Sequence, residues 1–353
     1  MSLSRLNAVR IFIVLFIAIG YTSTMPSIEG NEEVLRHLGY DPSWFGIQIL
    51  FCVSGYLALR SLTRHGSAKR YLTSRILRNI PLLAAYTFAV VSVIYPLFCA
   101  PHESFAESIG KLGIYFAKTV SLFSPGDQLP GLLDNAKYMC LIQGAIWTFR
   151  WGALAHIIMA IGWRLGFLKS KTVLLALAIL ATAFYGISYH ICMKYNHTEF
   201  EPLMTGARLG YAFLSGAALW GWQHKLPKSV RGKLALLSAL MGAALFHYYV
   251  LPWTPLIEIL GTAFWTYLAI SIIQTPMRAT DWMANWPNIA LGLYIGHWPV
   301  SQTLIALYPD MHGTGLIVKT IGVTALIALI THAAISGHIN VWAANFLRRK
   351  VAI

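Results

Sequence analysis

Ten stretches of mainly apolar residues, most near twenty long, follow one another along this chain, and the charged residues between them are sorted by sign. They are 7–25, 44–62, 79–99, 139–163, 172–193, 204–223, 232–250, 253–273, 287–308 and 314–336. About 20 apolar residues in a helix span the hydrocarbon core of a bilayer. Inside that core no water is present to satisfy the backbone, so each segment must bond to itself, which a helix does. The expected fold is therefore an all-α integral membrane protein, a polytopic bundle of about ten transmembrane helices. The first stretch resembles a secretory signal in length. Nine more follow it, which favours a retained helix.

Charge placement tests that count independently. Charged residues make up 11% of the chain and hydrophobic ones 57%. A soluble domain carries roughly 25% charge, so a soluble enzyme is excluded, and so is a disordered chain. The net charge of +14 would point to nucleic acid in a soluble protein. Here most of the cations lie in alternate loops. Arg5 precedes the first stretch, and Arg60, Arg64, Lys69, Arg70, Arg75 and Arg78 fill 60–78 without an acid. Arg164, Lys169 and Lys171 follow, then Lys225, Lys228, Arg231 and Lys233, and finally Arg348, Arg349 and Lys350. Of the thirteen acids, all but Glu258 and Asp281 fall in the other loops: Glu29, Glu32, Glu33, Asp41, Glu103, Glu107, Asp127, Asp134, Glu199, Glu201 and Asp310. Cationic loops stay in the cytoplasm, which places both termini there and the acidic loops outside. A single membrane domain covers 1–353. In the one long loop, 100–137, the apolar run Ile109–Phe123 either lies on the outer membrane face or is plain surface.

Ionisable residues inside the hydrocarbon are costly and mark function by default. Arg10 lies near the inner end of the first stretch, Arg150 at mid-depth in the fourth, and His297 mid-way along the ninth. Arg208 and Glu258 sit at matching depth near outer ends. They form either a helix-locking pair or a substrate-binding one. His297 is either a hydrogen-bonded packing residue or a proton carrier. A mid-membrane Arg150 points to a hydrated cavity. Arg75 and Arg78, three apart, share one helical face. Their guanidinium groups suit phosphate, whether on a ligand or on anionic lipid. No phosphate loop, His-Glu-x-x-His, Cys-x-x-Cys or Gly-x-Ser-x-Gly occurs, so ATP hydrolysis, a metal site and a hydrolase elbow have no support. Cys99, Cys140 and Cys192 lie near outer ends, and Asn196-His197-Thr198 is an outward sequon.

Several segments, in order, resemble the membrane acyltransferase-3 family, whose members acylate surface polysaccharides. Phe51-Cys52-Val53-Ser54-Gly55-Tyr56-Leu57 is similar to the family's second-span signature. Arg75-Ile76-Leu77-Arg78-Asn79-Ile80-Pro81 resembles its Arg-Ile-x-Arg-x-x-Pro run, and Trp147-Thr148-Phe149 its fourth-span opening. Arg208, Phe213 and Gly216 fit its Arg…Phe-x-x-Gly helix, and Tyr294-Ile295-Gly296-His297-Trp298-Pro299 its Tyr-Leu-x-His-x-Pro-type motif.

The resemblance implies transfer of an acyl group, acetyl above all, from cytoplasmic acyl-CoA to a hydroxyl of a cell-surface or lipid-linked glycan across a bacterial inner membrane. Arg10, Arg60, Arg75 and Arg78 would bind the donor phosphates, Tyr21, His297 and Arg150 would act at the reacting centre, and Arg208 with Glu258 would hold substrate. No bound cofactor is implied beyond the donor. The chain departs from the pattern at three places. Tyr21 stands where the family's first-helix His is found, Gly152 where a Glu follows the Trp, and His338 and Asn340 where an acid precedes a Pro near the C-terminus. Tyrosine titrates near 10, so Tyr21 serves as a base only with a cation to activate it. Arg10, eleven residues away, is about 16 Å distant along the helix axis. The departures keep a second reading open: a catalytically degenerate relative working as a polysaccharide exporter or as a subunit of a glycan-synthesis complex.

Overall fold

Where each helix starts follows from residues that satisfy its free N–H groups. Asp41 caps α2 (Pro42–His65): its Oδ1 accepts from the backbone of Ser43 at 2.8 Å and of Trp44 at 3.3 Å. Gly66 ends the same helix with φ 68°, a left-handed conformation that glycine adopts without cost. Ser170 caps α6 (Lys171–Lys194), and Ser229 caps α8 (Val230–Tyr249). The other long helices are α1 (Leu3–Thr24), α3 (Ala68–Ala89), α4 (Phe105–Val120), α5 (Thr148–Arg164), α7 (Glu201–Trp222), α9 (Thr254–Gln274), α10 (Ala290–Leu307) and α11 (Gly313–Thr331). A π turn at Val90–Ile94 carries α3 on to Phe98, and a second at His332–Ser336 extends α11.

The structure, a computed structural model, describes residues 3–25, 40–99, 105–129, 131–133, 140–195, 199–274 and 286–338. Glu29, Glu32, Glu33, Glu103, Asp134, the Asn196–Thr198 sequon, Arg278, Asp281, Asn340 and Arg348–Lys350 lie outside the described residues. Helix occupies the body of every apolar stretch. Eight helices are long and apolar enough to cross a membrane among the described residues. The chain is an all-α, multi-pass membrane protein. Of the expected spans, α7 and α10 fall outside those eight, and they are the helices that carry Arg208 and His297.

The helices sort into two compact units. The first takes in 1–9, 36–72 and 154–285; the second takes in 10–35, 73–153 and 286–353. In the first unit, α2 and α7 meet backbone to backbone. A Cβ on Gly216 would lie 1.8 Å from the Cys52 carbonyl oxygen, and one on Gly55 would lie 1.9 Å from that of Phe213. Small residues permit such approach where lipid supplies no hydrophobic drive between helices. The Cys52 thiol adds a bond to the Ala212 carbonyl at 2.9 Å. The Ser54-Gly55 and Phe213-x-x-Gly216 motifs are thus two sides of one helix crossing.

In the second unit, α10 packs on α11 through Gly292 and Gly296. A Cβ at these positions would reach Tyr86 at 3.0 and 2.9 Å. One face of α4 (Leu112, Tyr115) is buried with Val90, Tyr95, Leu129, Leu132 and Ile142, while Ile109 and Ile114 on its other side are exposed. The long loop expected at 100–137 therefore contains a packed helix.

Candidate functional site

Two polar clusters form within the helices, one in each unit. In the second unit the centre is His297. Its Nδ1 faces the Leu293 carbonyl, one turn back on α10, at 3.3 Å. A carbonyl only accepts, so the proton of the neutral ring sits on Nδ1. Nε2 is left with its lone pair, buried, and meets no hydrogen-bond partner among the described residues. The ring of Tyr21, from the last turn of α1, stacks on the imidazole at 5.9 Å between centroids, 16° from parallel. Trp298 closes the same space, edge-on to Tyr21 at 5.0 Å.

Trp147, in a tight 3-10 turn (Gly144–Trp147) before α5, donates from Nε1 to the Tyr21 hydroxyl at 3.2 Å. Next to it, Tyr294 donates to the Ala145 carbonyl at 2.9 Å and accepts from Thr148 at 2.6 Å. Gly144 is required here, because a Cβ would fall 2.4 Å from the Trp298 indole. Trp298 in turn donates to the Leu141 carbonyl at 2.9 Å. The pocket is aromatic and neutral, with one strong acceptor in it.

Tyr21 and His297 therefore come together, but face to face rather than edge to edge. A stacked imidazole takes no proton from the phenol, so Tyr21 is not activated by it. The helix that carries Arg150 begins at Thr148, after the 3-10 turn at Gly144–Trp147, and Arg150 is exposed in its first turn.

Arg10, Arg75 and Arg78 belong to the same unit, and the charges of Arg75 and Arg78 act on Arg10. Arg78 also donates to Ser74 at 3.3 Å. Arg75 and Arg78 sit on α3 itself rather than in a loop, because that helix begins at Ala68. Lys118 and Asp127 form an ion pair at 3.2 Å in the same unit. Arg60 lies in the first unit with its guanidinium 5.8 Å from the Trp220 ring centroid.

The first unit holds the second cluster. Glu258 is fully buried: Oε1 accepts from the Gln48 amide at 2.5 Å and Oε2 from the Tyr185 hydroxyl at 2.7 Å. The Gln48 carbonyl accepts from Tyr211 and, at 2.8 Å, from Thr262. Arg208, 4% exposed, lies over the Trp44 ring at 3.6 Å, and its Nε and Nη1 find no partner among the described residues. Arg208 and Glu258 share the cluster without the direct ion pair that their matching depth allowed. Tyr40, before α2, donates to the Thr254 carbonyl at 3.5 Å. Burial first, and then the charge of Glu258, push its phenol above the ordinary range, so it stays a neutral donor.

Gln48, Tyr185, Tyr211, Thr262 and Trp44 were not singled out in the sequence. Gln48 carried a signal, as a lone amide inside Phe45-Gly-Ile-Gln-Ile-Leu-Phe51. An apolar groove of about 940 Å³ lies elsewhere in the first unit, lined by Thr182, Gly186, His190, Ser215, Trp222 and Trp253, and holds neither cluster. No group of three or more potential metal ligands occurs among the described residues. No family model, no curated protein and no solved structure matches the chain.

Proposed function

We propose that this chain is an inner-membrane O-acyltransferase of bacteria, crossing ten times with both termini cytoplasmic, that moves an acyl group from acyl-CoA to a glycan hydroxyl. The observation that carries the reading is His297. A neutral imidazole with a buried Nε2 that meets no partner among the described residues is what a general base for a hydroxyl requires. In the proposed step Nε2 takes the acceptor's proton as its oxygen attacks the thioester carbonyl. The carbon–sulfur bond then breaks, and the imidazolium returns the proton to the departing thiolate. Tyr21 and Trp298 wall the pocket against water, and Trp147 fixes the Tyr21 hydroxyl.

The arginine group supports the donor side. Arg10, Arg75 and Arg78 collect positive charge within one unit, which suits the phosphates of coenzyme A. Arg10 lies about 16 Å along α1 from Tyr21, a separation that the pantetheine arm of the donor would bridge. The opposing reading is a relative without catalysis, an exporter or a subunit of a glycan-synthesis complex. It is favoured by the orientation of His297, which rests on a main-chain carbonyl with no carboxylate behind it.

Release of free CoA from acetyl-CoA, followed on purified protein in nanodiscs with and without membrane glycolipid extract, separates the two. Turnover lost in His297→Gln and kept in Tyr21→Phe is the expected result. Acetyl-CoA binding that requires Arg78 but gives no turnover under any condition transfers the chain to the second reading.

A further inference from the structure

In the Glu258 cluster two donors reach the carboxylate, one on each oxygen, and two reach the Gln48 carbonyl. Arg208 adds a guanidinium with two nitrogens that donate to nothing among the described residues. The indole N–H of Trp44 faces Glu258 without reaching hydrogen-bond geometry. A buried cation left this way is costly, and proteins pair such groups.

The surroundings have the same sign. Trp44, Arg208 and Glu258 lie within the first two turns or so of α2, α7 and α9, so three helix N-termini converge on the cluster. Each N-terminus carries partial positive charge. The bonds from Gln48 to Glu258, from Tyr211 to Gln48 and from Tyr40 to the Thr254 carbonyl hold the three ends together. Arg208 is seven residues into α7, about 10 Å along its axis. That depth lies just below the headgroup layer when the helix end is at the membrane surface.

We infer that Arg208, fixed on the Trp44 ring, is the receptor for a phosphate group entering the first unit from the membrane face at which α2, α7 and α9 begin. The group's oxygens take the free N–H donors of Arg208, and Glu258 lowers the affinity so that binding is reversible. The same chemistry is offered by free phosphate and by a lipid phosphodiester. This inference is independent of acyl transfer and of His297.

The test uses thermal unfolding of the full chain. Protein in phosphatidylcholine nanodiscs is compared in sodium phosphate and in sodium chloride of equal ionic strength, and then in nanodiscs containing phosphatidylglycerol. A rise of several degrees in phosphate identifies a free anion, and a rise confined to phosphatidylglycerol identifies a lipid headgroup. Either rise must vanish in Arg208→Gln. Glu258→Gln, which keeps the shape of the side chain and removes its charge, must lower the half-maximal concentration several-fold. If Arg208→Gln does not fold, the comparison of wild type with Glu258→Gln decides by itself. The inference is overturned if neither condition stabilises the wild type beyond matched chloride, if the rise persists without Arg208, or if Glu258→Gln leaves affinity unchanged or weaker.

Discussion

The two buried clusters solve opposite problems. Around Glu258 a carboxyl group is held by an amide and a phenol, with a guanidinium stacked on an indole nearby. Around His297 aromatic rings enclose one imidazole whose outer nitrogen meets no hydrogen-bond partner among the described residues. A charged cluster depends on every member, because removing one leaves another buried and unpaired. A neutral pocket tolerates substitution in its walls and concentrates its function in one atom. Stability should therefore be lost by changes in the first, and activity by changes in the second.

Glu258→Ala is the strongest way to break that contrast. It leaves the Gln48 amide and the Tyr185 hydroxyl without their common acceptor. The expected loss is about 1–3 kcal/mol of stability for each of these two buried donors left unsatisfied. Thermal unfolding in detergent would read it. A loss below about 1 kcal/mol would mean that water reaches the cluster and that the distinction between the two regions is wrong.

His297→Gln tests the other side. The amide keeps the volume and a polar tip but provides no base near neutral pH. Turnover of acyl donor should fall by about 10²–10⁴-fold, with the unfolding temperature little changed. Equal loss of stability and turnover would show His297 to be a packing residue.

Between these lies the helix crossing of the first unit. Gly216→Ala places a methyl 1.8 Å from the Cys52 carbonyl oxygen, and backbone, unlike a long side chain, cannot swing aside. Overpacking of this kind costs about 1–3 kcal/mol. Gly210, on the same helix, has open space beside it, so Gly210→Ala is the matched control and should be neutral or slightly stabilising.

That crossing also shows which parts of the molecule were legible in advance. The helices were, because an apolar run of spanning length has one main way to satisfy its backbone. Gly55, Phe213 and Gly216 were recognisable as motif residues, yet their meeting as one contact was not. One-dimensional spacing says which residues share a face and nothing about which faces meet. The same limit hid Tyr185 and Thr262, polar residues in α6 and α9 whose partners lie 73 and 214 positions away in the chain. The start of α5 was hidden for a local reason: the apolar stretch begins at 139, but the α-helix does not begin until the 3-10 turn ends at Trp147.

Tyr185→Phe is a finer probe of the charged cluster. It removes one hydroxyl from Glu258 Oε2 and leaves the ring stacked on Tyr211 at 5.0 Å. Loss of a hydrogen bond to a charged group predicts about 1.5–3 kcal/mol, less than Glu258→Ala because the anion keeps Gln48.

Tyr21→Phe should have the smallest effect and is the most informative about chemistry. The substitution keeps the ring that stacks on His297 and meets Trp298 edge-on, and it removes the hydroxyl that accepts from Trp147. Because Trp147 is only part-buried, water can take over the lost acceptor, and the expected cost is about 0.5–1.5 kcal/mol of stability or less. Turnover should change by no more than a few-fold if Nε2 of His297 is the base. A loss as large as that of His297→Gln would assign the proton transfer to the phenol. The neutral pocket would then contain two dependent groups, as the charged one does, and the contrast between the regions would reduce to charge alone.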